Sequence, residues 1–160
     1  MKTVRLSKVV SLFAVIILAV VVFIVLAQPY RISGDCMEPA IKDGGLYFLN
    51  RILPYVRQYQ VGDIIVFMYE EKPWISRIVA LENNIVQINE GSIVVNGVRL
   101  QEAAIYRDWA NWKYGIYAIE KPIKIPLNHV YVLSDKLSAH HDDSRVFGPI
   151  TKASILGVIW

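Results

Sequence analysis

The chain has 160 residues, 54% of them hydrophobic and 19% charged, with 17 Lys and Arg against 14 Asp and Glu and a single cysteine. That balance excludes a disordered tail, a collagen-like fibre and a disulfide-stapled scaffold, since one thiol has no partner within the chain. The length suits one domain of ordinary size, and the surplus of apolar residues implies a concentrated apolar segment.

That segment comes first. Residues 9–27 hold one polar side chain, Ser11, and no charge. At about 1.5 Å rise per residue, a helix of this length just crosses a hydrocarbon core of roughly 30 Å. Lys2, Arg5 and Lys8 stand before it without an acid. The positive-inside rule then keeps residues 1–8 in the cytoplasm and sends residues 28–160 outside, on a single-pass anchor in the cell membrane. All 14 acids and all other basic residues follow residue 27, so the net charge of +3 belongs to the N-terminal segment. It gives no footing for nucleic-acid binding. A cleaved signal peptide competes with the anchor, because Val25-Leu26-Ala27 before Gln28 reads as a small-residue cleavage site. An h-region usually spans about 7–15 residues, and this run is longer, which favours a retained transmembrane helix.

Residues 28–160 carry strand signals. Leu46-Tyr47-Phe48-Leu49 follows Gly44-Gly45, and an apolar run over residues 63–69 follows Gly62. Residues 74–81, 85–88 and 92–95 continue the pattern. Asn96-Gly97 then turns the chain into Val98-Arg99-Leu100, a strong type I′ hairpin signal. Residues 129–133 and 155–160 complete the set. Short runs separated by Gly and Asn turns predict an antiparallel all-β domain. Residues 104–121, rich in Trp and Tyr, read as an inserted loop or hairpin. Trp109 and Trp112 fit an interfacial aromatic belt, ordinary core or a partner surface equally.

Four segments hold residues suited to chemistry. The first is Ser33-Gly34-Asp35-Cys36-Met37-Glu38-Pro39-Ala40, where Gly34 permits a tight turn and Pro39 stops a helix. The second is Gly62-Asp63-Ile64-Ile65-Val66-Phe67. The third is Ile75-Ser76-Arg77-Ile78-Val79, and the fourth is Asp142-Asp143-Ser144-Arg145-Val146-Phe147-Gly148.

In this order, with the N-terminal apolar run and the hairpin of residues 92–100, these segments resemble the type I signal peptidases. Those are membrane-anchored endopeptidases that remove signal peptides from exported preproteins. The resemblance implies a signal-peptidase-like antiparallel β domain whose active site faces the membrane. It also implies what has changed. The place of the serine nucleophile holds Cys36, followed by Met37, and the place of the general-base lysine holds Ser76, before Arg77. Gly34, Asp35, Met37, Pro39, Asp63, Arg77, Asp143, Ser144 and Arg145 occupy supporting places. Ser134-Asp135-Lys136 replaces the usual Gly-Asp-Asn start of the last box.

The lost lysine matters physically. A nucleophile needs a partner to take its proton, or a lowered pKa. The Ser76 hydroxyl does not titrate in a useful range. A thiol near ~8.5 is a few per cent thiolate at neutral pH, so Cys36 is better placed than a serine. Without a group to protonate the leaving amine, amide cleavage stays poor, since general acid–base help is worth about 10²–10⁴ in rate. His141, two residues before Asp143, stands where the resemblance places a serine bonded to the lysine. An imidazole there suits a thiol partner, with His140 as its neighbour. The same two histidines also read as solvated loop residues.

Blander roles stand beside these. Cys36 reads equally as a small buried hydrophobe. Asp143 and Arg145 read as a structural ion pair. Asp63 reads as a turn cap and Arg77 as a brace. His140, His141, Asp142 and Asp143 lie on one loop without a distant partner, which rarely closes a metal site, so no metal and no cofactor is expected.

Two functions follow. In the first, the chain keeps the fold and groove and binds an exported protein without cutting it. Among Gram-positive relatives of signal peptidase, loss of the catalytic pair is associated with pilus assembly, so the resemblance makes a pilin a candidate partner. In the second, the chain is an active endopeptidase that cleaves preproteins, with Cys36 as nucleophile and His141 or a water as base.

Overall fold

A computed structural model describes residues 2–89, 92–100, 121–136 and 142–160. The strands in chain order are β1 (Ala27–Arg31), β2 (Leu46–Asn50), β3 (Ile64–Tyr69), β4 (Lys72–Ala80), β5 (Ile85–Asn89), β6 (Ser92–Val95), β7 (Val98–Arg99), β8 (Ile123–Lys124), β9 (His129–Leu133), β10 (Ile150–Thr151) and β11 (Ile155–Ile159). Three helices accompany them: α1 (Lys2–Leu26), α2 (Leu53–Val56) and α3 (Ser144–Phe147), with one 3₁₀ turn at Lys152–Ser154. Seven strands form one sheet in the order β1-β2-β11-β3-β4-β9-β10, and four form a second in the order β7-β6-β5-β8. The pairings are antiparallel. The β character of the domain is therefore as expected, while the aromatic-rich residues 104–121 fall almost wholly outside the described residues.

The N-terminal helix differs from the expected bounds. It starts at Lys2, ahead of Val9, and ends at Leu26. Ala27 is already strand, paired with Asn50 in β2. Pro29 explains the stop, because it has no N–H to continue a helix and sits without cost on the edge strand β1. Among the described residues no helix is long and apolar enough to cross a membrane. The side chains of residues 9–24 are nevertheless apolar apart from Ser11 and exposed on every face.

Two places show sequence dictating geometry. Asn96 and Gly97 take φ of 51° and 80°, the left-handed pair that a type I′ turn requires, and Val95 pairs with Val98 across it. Gly157 lies where β11 is squeezed against β2. A Cβ there would stand 2.7 Å from the Asn50 carbonyl oxygen and 2.9 Å from Leu49 Cδ1, so only glycine lets the strands approach.

The buried residues fall into three clusters. One joins the sheets, with Val79, Val86, Ile125, Tyr131 and Leu133. A second holds Ile32, Cys36, Met37, Ile41, Leu49, Val66 and Ile75. The third gathers Ile65, Phe67, Ile78, Val130 and Val132. An aromatic group caps this last one, with Tyr69 stacked on Phe147 at 4.4 Å and the Trp74 edge against Phe147 at 6.3 Å.

Candidate active site

Cys36 lies on the loop that joins β1 to β2. The base of that loop is closed by two backbone bonds, Ile32 N–H to Gly45 O at 3.1 Å and Gly44 N–H to Ile32 O at 2.9 Å. Gly34 takes φ of +108° and donates to Asp43 Oδ1 at 2.8 Å. Met37 O accepts from Ile41 N–H at 2.9 Å, which curls residues 37–41 into a single turn. Met37 is fully buried, so this turn is pinned by its side chain, whereas Pro39 stays exposed.

Cys36 itself is 4% exposed and sits among aliphatic neighbours. Burial pushes its thiol up to about 11, and the Asp35 carboxylate pushes in the same direction. Ser76, on β4, is fully buried and pairs with Ile65 across the sheet. Its hydroxyl donates to its neighbour's carbonyl, Ile75 O, at 2.7 Å. Ile75 in turn packs in the cluster that holds Cys36. No hydrogen bond joins thiol to hydroxyl among the described residues. His140 and His141, the candidate substitute bases, lie outside those residues.

The charged residues of the four segments form a scaffold. Arg77 is forked onto Asp135, with Nε to Oδ1 at 2.8 Å and Nη2 to Oδ2 at 2.6 Å, while its Nη1 donates to Gly62 O at 2.7 Å. Burial pushes the Asp135 carboxyl up, and Arg77 opposes that shift. Asp143 caps α3 by accepting from Arg145 N–H at 3.0 Å. It also takes the Arg145 guanidinium at 2.8 and 2.5 Å, and its Oδ2 accepts from Ser134 N–H at 3.2 Å. Ser144 Oγ accepts from Val132 N–H at 2.9 Å. Ser144 thus ties α3 to β9 and Asp143 ties it to the residue after that strand, while Arg145 braces Asp143. Asp63 takes Arg57 in a fork at 2.9 and 2.6 Å and accepts from Gln60 N–H at 2.9 Å.

Sequence reasoning passed over three partners. Asp135 lies 58 positions from Arg77 and meets it only because Leu133 on β9 pairs with Arg77 on β4. Lys136 donates its N–H to Cys36 O at 2.7 Å, and its ammonium pairs with Asp35 and, at 3.4 Å, with Glu38. Arg57 is the third. The only advance signal for the first two was that they fill the start of the last box. Among the described residues no group of His, Cys, Asp and Glu is arranged to hold a metal ion.

The order of these elements and their pairings can be set against known proteins. The family model described as signal peptidase, peptidase S26, matches residues 5–160. The chain belongs to the peptidase S26 signal peptidase family. A signal peptidase I of Bacillus amyloliquefaciens is 27% identical over 150 residues, covering 92% of this chain and 81% of that protein. A probable signal peptidase I-1 of Synechocystis is 28% identical over 156 residues, covering 91% and 76%. The crystal structure of a signal peptidase I from Enterococcus faecalis matches with a TM-score of 0.51 at 27% identity, over 64% of this chain and 97% of that one. The fold is accordingly signal-peptidase-like and so is the function: a peptidase family concerned with signal peptides and acting on exported preproteins. The chemistry available to Cys36 and Ser76 is limited. At pH 7 a thiol held near 11 is thiolate to only about one part in 10⁴, and a serine hydroxyl cannot replace an amine as base.

Proposed function

We propose that this signal peptidase relative is a membrane-anchored factor that binds an exported protein and lacks normal Ser/Lys catalysis. The observation that carries the reading is the pairing of a buried, high-pKa Cys36 thiol with a buried Ser76 hydroxyl committed to Ile75 O. Neither group titrates near neutral pH, so neither gives nor takes a proton where cleavage needs it. The proposed binding surface is the rim of the Cys36 loop, where Gly34, Asp35 and Pro39 are exposed and Met37 pins the loop from within. Asp63, Arg77, Asp143, Ser144 and Arg145 act as structural supports. A pilin is the proposed client, on the strength of the resemblance to pilus-associated relatives with both catalytic places changed.

In this reading α1 is a retained single-pass anchor, with residues 1–8 cytoplasmic, residues 9–27 in the bilayer and the domain of residues 28–160 outside. Its support is residues 9–24 of α1, apolar apart from Ser11 and exposed on every face, a pattern that water does not favour. Protease added to intact protoplasts should digest the domain while the remnant stays in the membrane fraction. A soluble form that begins at Gln28 would contradict the anchor.

The functional test uses full-length protein in vesicles with a preprotein substrate and, separately, a pilin subunit. The expected result is retention of the pilin without cleavage, and no processing of the preprotein. Cys36→Ala should retain the pilin as well as the unaltered chain does. Processing by the unaltered chain that disappears in Cys36→Ala and in His141→Ala, with the fold intact, would make Cys36 a nucleophile and overturn the non-catalytic reading.

A further inference from the structure

We infer that α2 is a second membrane contact, an apolar foot that dips into the bilayer interface beside the exit of α1. The inference rests on the proposed anchor and adds a surface to it. Its first support is register. Leu26 ends α1 and Ala27 starts β1, with no linker between them, and Ala27 pairs with Asn50. Asn50 therefore stands one strand spacing, about 4.8 Å, from the helix exit. The same Asn50 starts α2, since its Oδ1 accepts from Ile52 N–H at 2.9 Å and from Leu53 N–H at 2.8 Å. The four-residue helix is thus tied by one side chain to the level at which the anchor leaves the bilayer.

The second support is what α2 presents. Leu53 packs inward on the cluster of Ile65 and Phe67. Outward stand Tyr55, 88% exposed, and Val56, 75% exposed, with Ile52 beside them. A tyrosine next to aliphatic side chains suits the boundary between headgroups and acyl chains, where one end of the ring is apolar and the other wet. The foot is also held firmly. Arg57 N–H closes it onto Leu53 O at 3.0 Å, and the Arg57 guanidinium is forked onto Asp63. Arg51, exposed at the start of the segment, adds a cation that anionic headgroups attract. A water-facing turn would need none of this apolar surface. Its effect is orientation: a single helix lets a domain swivel, whereas two contacts at one level fix which face looks at the membrane.

The experiment uses the full chain in vesicles of phosphatidylethanolamine and phosphatidylglycerol. Tyr55→Cys, Val56→Cys, Ile17→Cys and Glu70→Cys are each labelled with a polarity-sensitive fluorophore. The unaltered chain, with Cys36 alone, is the labelling blank. Lipids carrying a nitroxide near the headgroup or deep in the chain report depth. The expected result is loss of most emission from positions 55 and 56 with the shallow nitroxide. Position 17 should be quenched by the deep nitroxide, and position 70, on the β3–β4 turn, by neither. If positions 55 and 56 behave as position 70 does while position 17 is quenched from the bilayer core, the foot is overturned and the anchor stands. If position 17 is also unquenched, both fall.

Discussion

Around the candidate site, one set of side chains is charged and matched, and the other is neutral. Arg77 meets Asp135, and Arg145 meets Asp143, each through a buried two-point fork. A few residues away, Cys36 and Ser76 are as deeply buried, yet neither bears a charge at neutral pH. Burial accounts for both. A charge taken from water persists only when an opposite charge and hydrogen bonds replace the water, which the forks do. A thiol with no such partner keeps its proton. On the proposed reading, the frame of a signal-peptidase site holds together without its reactive pair. The charges of the frame are held in two buried forks, one joining β4 to the segment that follows β9 and one within the turn that opens α3.

The largest expected effect breaks the frame. Arg145→Ala leaves Asp143 buried without its cation, and such changes typically cost about 3–5 kcal/mol. Arg77→Ala should do the same to Asp135. Denaturant unfolding of the full chain in detergent micelles measures both. A loss below about 1 kcal/mol, the size seen for exposed pairs, would mean that the forks do not hold the site.

The next effect tests the neutral half. The Cys36 thiol moves from an ordinary 9.0 to about 11 in the folded chain. Below the lower value both states keep the proton, and stability is unaffected. As pH rises through 9, the unfolded chain ionises first and the folded one resists until about 11. Stability therefore falls across that window, by about 3 kcal/mol for two pH units. Cys36→Ala should remove this part of the alkaline fall. At pH 7 the same shift makes alkylation of Cys36 about 100-fold slower than that of an ordinary thiol, before steric shielding slows it further. A thiol that alkylates faster than a free one would point to a base near Cys36 and dissolve the contrast between the two halves.

This division also explains what the sequence made legible. Runs such as Ile64-Ile65-Val66-Phe67 and the Asn96-Gly97 turn declare themselves through β-rich composition and turn chemistry. β1 does not, because Ala27-Gln28-Pro29-Tyr30-Arg31 has no alternation and follows the apolar run directly. β8 and β10 are two residues long, too short for any period, and α2 and α3 are single turns. The positions of Cys36 and Ser76 could be found through the order of the motifs. The burial of the thiol could not, because it depends on Leu49, Val66 and Ile159 arriving from three separate strands. The partner of Arg77 was hidden for the same reason: a register between β4 and β9 is not written in either segment alone.

The smallest effect comes from a charge that belongs to neither half. Lys136 bonds Asp35 and Glu38 at the rim of the Cys36 loop, and all three are solvent-accessible. The hydrogen bond that its ammonium donates to the Asp35 carboxylate holds Lys136 above the ordinary lysine range. Its contribution is therefore fully present below that range and is lost as pH rises through the raised value. Solvent screens such a pair, so Lys136→Met should leave the unfolding midpoint at pH 7 almost unmoved, in contrast with Arg145→Ala. Its signature should appear only at high pH. In a Cys36→Ala background stability should still fall at high pH, because burial also pushes the Tyr131 and Tyr59 hydroxyls up; Lys136→Met should make that fall only slightly shallower, by an amount that shrinks in strong salt. If Lys136→Met instead destabilised the chain at pH 7 as much as loss of Arg145, the rim charge would be part of the frame. Burial would then not be what separates the charges that hold this site from those that merely border it.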